Sequence, residues 1–182
     1  MPAFSAQTDN GAMHRTSLAA ALLAVAACSP TFNWREVRAE PAPLKAMLPC
    51  KPDKGSRPVP MAGRQVELQV LGCDAGGATF ALLYGDIGDA ARTGEVLAQW
   101  KTATLANMHS VSAQARPFVP AGAFGLPQSV QVVASGQRAD GSAVESHAAY
   151  FARGSLVFQA VIYADRLSPE AAETFFSGLK FE

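Results

Sequence analysis

Apolar and polar residues alternate most regularly in the middle of the chain. Across Arg64–Leu71, Val66, Leu68 and Val70 face one way with Glu67 and Gln69 between them, the two-residue period of a half-buried strand. Asp74-Ala75-Gly76-Gly77 supplies turn chemistry, and Thr79–Tyr84 (TFALLY) returns as the partner strand, so the two predict a hairpin with Cys73 at its tip. Further on, Ser129–Gln137, Ala143–Phe151 and Leu156–Ala164 predict a meander. Its turns are Arg138-Ala139-Asp140-Gly141 and Arg153-Gly154, and Asp-Gly between alternating runs is a strong hairpin signal. Upstream, Phe32–Val37 predicts a short strand with Phe32, Trp34 and Glu36 on one face. Leu44–Leu48 predicts a second strand, stopped by Pro49, and Lys51–Gly63, with three prolines and Gly55, reads as a loop.

Two segments change period. From Thr93 to about Met108, Val96, Leu97, Trp100, Ala103 and Thr104 fall on one helical face, with Leu105 off it. At the end of the chain, Ser168-Pro169-Glu170 opens a helix as cap, first-turn proline and carboxylate near the positive dipole end. Ala172, Phe175, Phe176 and Leu179 form its buried stripe, and Gly178 sits near its stop. The expected architecture is therefore α+β, an antiparallel sheet of about six to seven strands with two helices packed on it.

Between helix and meander, His109–Gln128 has no period and contains Pro117, Pro120, Pro127, Gly122 and Gly125. A connection of this length exceeds what a compact domain needs, and prolines, which withhold backbone donors, are expected to keep it from extending the sheet. Phe118, Val119 and Phe124 have two outcomes: they pack as a cover on the core, or they stay exposed as a partner-contacting surface.

The N-terminal region has its own pattern. Ser17–Ala27 is an uncharged run of eleven residues behind His14 and Arg15. It is short of the roughly twenty residues needed to span a bilayer and suits the apolar core of a secretory signal. Met13 opens this signal better than Met1 does, so residues 1–12 read as a mis-assigned extension, 13–27 as the signal peptide and 28–182 as a single periplasmic domain.

The signal ends in Val25-Ala26-Ala27-Cys28. This resembles the lipobox of bacterial lipoproteins, with Val where Leu is commoner. The resemblance implies that Cys28 is lipidated and becomes the first residue, and Ser29 after it implies the periplasmic face of the outer membrane. Three acyl chains, at about 0.8 kcal/mol per buried methylene, would hold the protein permanently. An ordinary signal cut after Ala26 or Ala27 is the alternative. Once Cys28 is set aside, Cys50 and Cys73 remain as an even pair, 23 apart and without metal-site spacing. A disulfide is expected in an oxidising compartment, with two buried free thiols as the alternative.

The order of elements, closing with a strand, a short loop and SPEAAETFFSGLKF over 168–181, resembles the PsbP-like fold (DcrB-like domains included), in which a final amphipathic helix ends in Phe-rich text. The resemblance runs from about Leu44 to Glu182 as pattern, without a signature motif. It implies the same α+β architecture and carries no functional residue across.

Composition narrows function only slightly. Of 182 residues, 49% are apolar and 16% charged, enough for a real core. Lys+Arg and Asp+Glu each number 15, so the net charge gives no electrostatic footprint for nucleic acid. There is no GxSxG, HExxH, Walker loop or dinucleotide fingerprint. Ser146 and His147, adjacent on a strand, point to opposite sides and cannot form a dyad. Asp86 and Asp89 could pair for acid–base work or calcium, or simply solvate a turn. Trp34 and Trp100 could line a pocket or fill the core. Lys45, Lys51, Lys54, Arg57 and Arg64 form a modest basic set around Cys50 that could touch anionic lipid heads or stay solvated. No catalytic residue, cofactor or metal is expected. The function expected is non-catalytic: an envelope-anchored lipoprotein with a binding or assembly role, contacting the membrane through its lipid and an envelope protein as partner. The alternatives are a hydrolase using Asp86, Asp89 or Glu145, and a small-ligand carrier.

Overall fold

The computed structural model describes residues 31–182, so the expected extension 1–12, the signal 13–27 and Cys28 lie outside the described residues. Ten strands and two α-helices follow in the order β1 (Arg35–Arg38), β2 (Leu44–Leu48), β3 (Asp53–Met61), β4 (Arg64–Ala75), β5 (Ala78–Asp86), α1 (Thr93–Asn107), β6 (Ser112–Pro117), β7 (Val130–Gln137), β8 (Ala143–Arg153), β9 (Leu156–Ala164), α2 (Pro169–Ser177) and β10 (Lys180–Phe181). Seven strands form an antiparallel sheet in the order β3-β4-β5-β9-β8-β7-β6, and a smaller sheet pairs β1-β2-β10. The fold is mixed α+β and mostly sheet.

The centre of the large sheet is covered on both sides. Phe80, Leu82, Tyr84, Phe151, Phe158 and Ile162 point to one face, where α2 and the small sheet cover them. Phe175 of α2 meets Phe80 edge-on at 5.5 Å between ring centroids, and Phe151 stacks on Phe158 at 5.2 Å. Such pairs contribute about 0.5–1.5 kcal/mol beyond the area they bury. Val66, Val132, Val144, Tyr150, Val157 and Val161 point to the other face, under Val96 and Leu97 of α1. One buried polar group ties this layer together: Gln159 Nε2 donates to the Tyr150 hydroxyl at 3.0 Å and to Thr104 Oγ1 of α1 at 3.1 Å. Burial there pushes the Tyr150 phenol up to about 12. The far end of α1 docks closely on β7. A Cβ on Gly136 would lie 2.2 Å from the Met108 carbonyl oxygen, the same oxygen that accepts the Gln137 N–H at 2.7 Å, so only glycine fits there.

Several expectations need correction. Lys51–Gly63 is not a loop but chiefly strand β3, paired with β4 from Asp53↔Gly72 to Met61↔Arg64. Its prolines are tolerated because Pro58 and Pro60, two residues apart on an edge strand, both turn their missing N–H away from β4. The hairpin closes through Ala62 and Gly63, with φ of 52° and 75°, the positive pair that matches strand twist. His109–Gln128 also contains a strand. Ser112–Pro117 pairs with β7, and Pro117 marks its end instead of preventing it. The first strand is shorter than Phe32–Val37: Phe32 and Trp34 precede it and pack on Phe80, and Glu36 is exposed. On α1, Ala103 is exposed while Leu105 packs half-buried against the core. The two residues flank the apolar stripe on opposite sides, and only the longer side chain reaches inward.

The expected Cys50–Cys73 disulfide is formed, with 6.1 Å between the Cα atoms, and the free-thiol alternative falls. It joins the chain just after β2 to β4, and so the small sheet to the large one. Closing a 23-residue separation restrains the unfolded chain by about 3 kcal/mol. Replacing both cysteines by Ala should therefore lower unfolding free energy in urea by about 3 kcal/mol with the folded spectrum retained. A loss under about 1 kcal/mol would mean that packing alone holds the small sheet in place.

Candidate functional site

The covering layers do not reach one margin of the large sheet. All six residues of β6 are exposed, and beyond α2 the face of β6, β7 and β8 lies open. Because side chains alternate, Gln114 and Arg116 of β6, Gln131 and Val133 of β7 and His147 of β8 all point to this face. With Phe118 and Phe176 at the end and Glu173 on the helix wall, they line an open groove of about 730 Å³.

The floor of the groove is polar and its side chains are held. Arg116 donates through Nε and Nη2 to Gln131 Oε1, at 3.0 and 2.6 Å, and Gln131 itself is buried. Among the described residues no carboxylate lies within ion-pair reach of Arg116. Next to it, His147 Nε2 meets Glu145 Oε1 at 2.6 Å, two residues apart on the same face of β8. Ser146 is buried on the opposite face, as the alternation requires.

The three side chains singled out in the 109–128 segment divide. Phe118 is half-buried, edge-on to Phe151 at 6.3 Å and to Phe176 at 6.0 Å, and belongs to the core margin. Val119 and Phe124 are 49% and 48% exposed. The segment around them is pinned by main-chain bonds, Phe118 N–H to Ser129 O at 3.0 Å and Phe124 N–H to Ala152 O at 2.9 Å, so the exposed side chains ride on an ordered backbone. Val111 and Val133 are exposed as well. These four are the exposed large apolar side chains among the described residues, and all lie between 111 and 133. They do not form one patch: Val111 bonds to Ser135 in the row of Ala164, and Phe124 to Ala152 in the row of Val157, seven residues or about 24 Å along the sheet.

The other candidate residues are not brought together. Asp86 pairs across from Leu156 at one end of β9, and Glu145 lies opposite Ala164 at the other, about 27 Å away at strand rise. Asp86 accepts the Gly88 N–H at 2.8 Å and Asp89 the Ala91 N–H at 3.0 Å, so both organise the turn before α1. The Ser155 hydroxyl, and then the Gly88 amide, hold the Asp86 carboxyl below its usual range. Trp34 sits against Phe80 and Trp100 against Tyr150, on opposite faces of the sheet, so they do not share a pocket. The basic set also separates. Lys45 pairs with Glu182 at 2.7 Å and Glu36 at 3.3 Å, Arg64 donates to the Ile87 carbonyl, and Lys51, Lys54 and Arg57 remain exposed along β3 and its approach. Among the described residues no three His, Cys, Asp or Glu side chains converge as a metal site would need.

Arg116, Gln131, the His147–Glu145 pair, Val111 and Val133 escape a reading based on apolar period. The available signal is the alternation in SAQARP, where small residues at 113 and 115 separate polar ones at 114 and 116. No protein-family model and no curated protein matches the sequence.

Two changes test the structural role of the turn. Asp89→Ala should cost about 1 kcal/mol, the loss of a capping acceptor. Asp86 has a depressed folded-state pKa, so its stabilisation is full above the unfolded carboxyl value of about 4 and disappears as pH falls through the folded value. Urea unfolding of Asp86→Asn should thus show a deficit at pH 7 that narrows steadily below pH 4. A deficit independent of pH would assign it to the lost hydrogen-bond geometry alone.

Proposed function

We propose that this chain is a lipoprotein of the cell envelope, anchored through Cys28 at the periplasmic face of the outer membrane, whose PsbP-like domain has a non-catalytic role in binding or assembly. The observation that carries the reading is that Val119 and Phe124, half-exposed apolar side chains, stand on the loop between β6 and β7 while main-chain bonds pin that loop to the sheet.

Two geometric facts support it. The Cys50–Cys73 bond suits an oxidising compartment and leaves Cys28 as the odd cysteine. The described chain begins at Thr31, close to Gly76 in the β4–β5 turn. Phe124 bonds to Ala152, whose row in the sheet lies seven residues from that of Ala78, about 24 Å toward the other end. A lipid at Cys28, three residues before Thr31, would hold the turn end near the bilayer. Lys51, next to the Cys50–Cys73 bond, is on that side, where it could contribute about 1 kcal/mol against anionic headgroups. Val119 and Phe124 would then face away from the membrane, toward a protein partner.

A second reading, a small-ligand carrier, is favoured by the groove beside α2, whose volume of about 730 Å³ lies in the range of ligand sites and whose walls join Phe118, Val133 and Phe176 to Arg116 and His147. Native mass spectrometry of envelope-extracted protein separates the two, since a carrier would retain a small molecule of defined mass. The hydrolase alternative is not proposed, because its three carboxylates do not converge.

The anchor is tested by mass analysis of the mature N-terminus and by Cys28→Ala, which should move the protein from the membrane to the soluble fraction. For the surface, Val119→Ser with Phe124→Ser should change stability by less than about 1 kcal/mol, as exposed positions do, and abolish crosslinking to an envelope protein. Loss of several kcal/mol instead would place both side chains in the fold and end the contact claim.

A further inference from the structure

The two margins of the large sheet are built differently. On β3, Pro58 and Pro60 remove the two outward donors nearest the turn, and those of Lys54 and Ser56 remain, beside a long charged side chain. On β6, Pro117 removes the last outward donor, and the edge before it is open. Phe118 N–H bonds to Ser129 on the inner side, and in an antiparallel ladder residues alternate, so Arg116, Gln114 and Ser112 also pair inward. Ala113 and Ala115 therefore turn their N–H and C=O groups outward, with only a methyl group each to shield them. Every residue of this strand is exposed.

The side chains along this edge state what would fit. On one face stand Gln114 and Arg116, on the other Ala113 and Ala115, with Val111 81% exposed just before the strand. Gln131 Oε1 occupies Nε and Nη2 of Arg116, orienting the guanidinium while leaving Nη1 without a partner among the hydrogen bonds of the described residues. A neutral amide fixes the cation and does not neutralise it.

We propose that β6 is a strand-addition site for an extended segment of a partner protein in which apolar and acidic residues alternate. The segment pairs with the main chain of Ala113 and Ala115, lays small apolar side chains beside their methyl groups and sets a carboxylate against Arg116. Strand addition of this kind takes affinity from main-chain bonds and specificity from alternate side chains. A second copy of this chain is a poorer occupant, because Ser112–Pro117 contains no carboxylate to answer Arg116. The inference rests on the reading of the β6–β7 hairpin as the contact surface and names the chemistry of its partner.

The probe is a fluorescent, end-blocked heptapeptide of alternating Val and Glu, with a Val/Lys peptide as control, titrated against the folded domain by anisotropy. The Glu peptide should bind, the Lys peptide should bind at least tenfold more weakly, and Arg116→Gln should cost up to about fivefold, the size of a cross-strand charge pair. Ala115→Pro removes an outward donor and no ladder bond, so it should weaken binding at least tenfold with the urea midpoint unchanged. Should that variant be destabilised, amide exchange of the unaltered protein decides: saturating Glu peptide must slow exchange at Ala113 and Ala115. Equal binding of the two peptides, no protection at those amides, or self-association that Ala115→Pro abolishes and peptide does not compete, would overturn the proposal. An envelope partner lost with Val119→Ser and Phe124→Ser but kept with Ala115→Pro would overturn strand addition and leave partner binding standing. Peptide binding at the edge with no crosslinked envelope protein would have the opposite meaning.

Discussion

Strand β9 lies between β5 and β8 with both of its faces covered, and the positions of the other elements follow from that. Phe158, Ala160 and Ile162 point to the α2 side, Val157 and Val161 to the α1 side, all of them buried. A strand buried twice needs a cover on each face, and the chain supplies one helix on one side and a helix with a small sheet on the other. Each cover spans about the width of the central strands. The sheet is wider than its covers, so its margins must meet water, and the two margins are treated differently. In β3 two prolines stand at outward positions. In β6 a single proline ends the strand, and Ala113 and Ala115 leave their main chain unshielded.

The parts of this arrangement legible in the sequence are those where apolar period and turn chemistry agree. Val66 and Leu68, TFALLY, the Asp140-Gly141 turn and the Ser168 cap each leave one reading, and the structure has a strand, a hairpin or a helix start at each. The parts that were not legible are edge strands. In β3, Pro58 and Pro60 read as breakers, because the sequence does not show which way a missing N–H would point; the turn at Ala62-Gly63 adopts two positive φ values with an alanine in the first position. In β6, SAQARP has no apolar face, because the strand covers nothing. Edge strands contribute little to the core and so carry little of its pattern.

The site was legible to a similar degree. The disulfide could be read from cysteine parity, and Val119 and Phe124 from being apolar in an irregular segment. The groove could not, because Arg116, Gln131 and His147 come together only through the register of three strands. The spread of Asp86, Asp89 and Glu145 across the sheet depends on register in the same way. Contacts set by pairing are visible only once the pairing is known.

The proposed binding role requires that the uncovered β6–β7 margin be the surface a partner would cover. Amide hydrogen exchange compares the margin directly between two states, protein retained in native envelope membranes and the same protein purified. Protection gained at 111–124, with the Ala113 and Ala115 amides included and β3 unchanged, is the predicted result. Protection confined to β3 or the small sheet, or no difference between the two states, would contradict it.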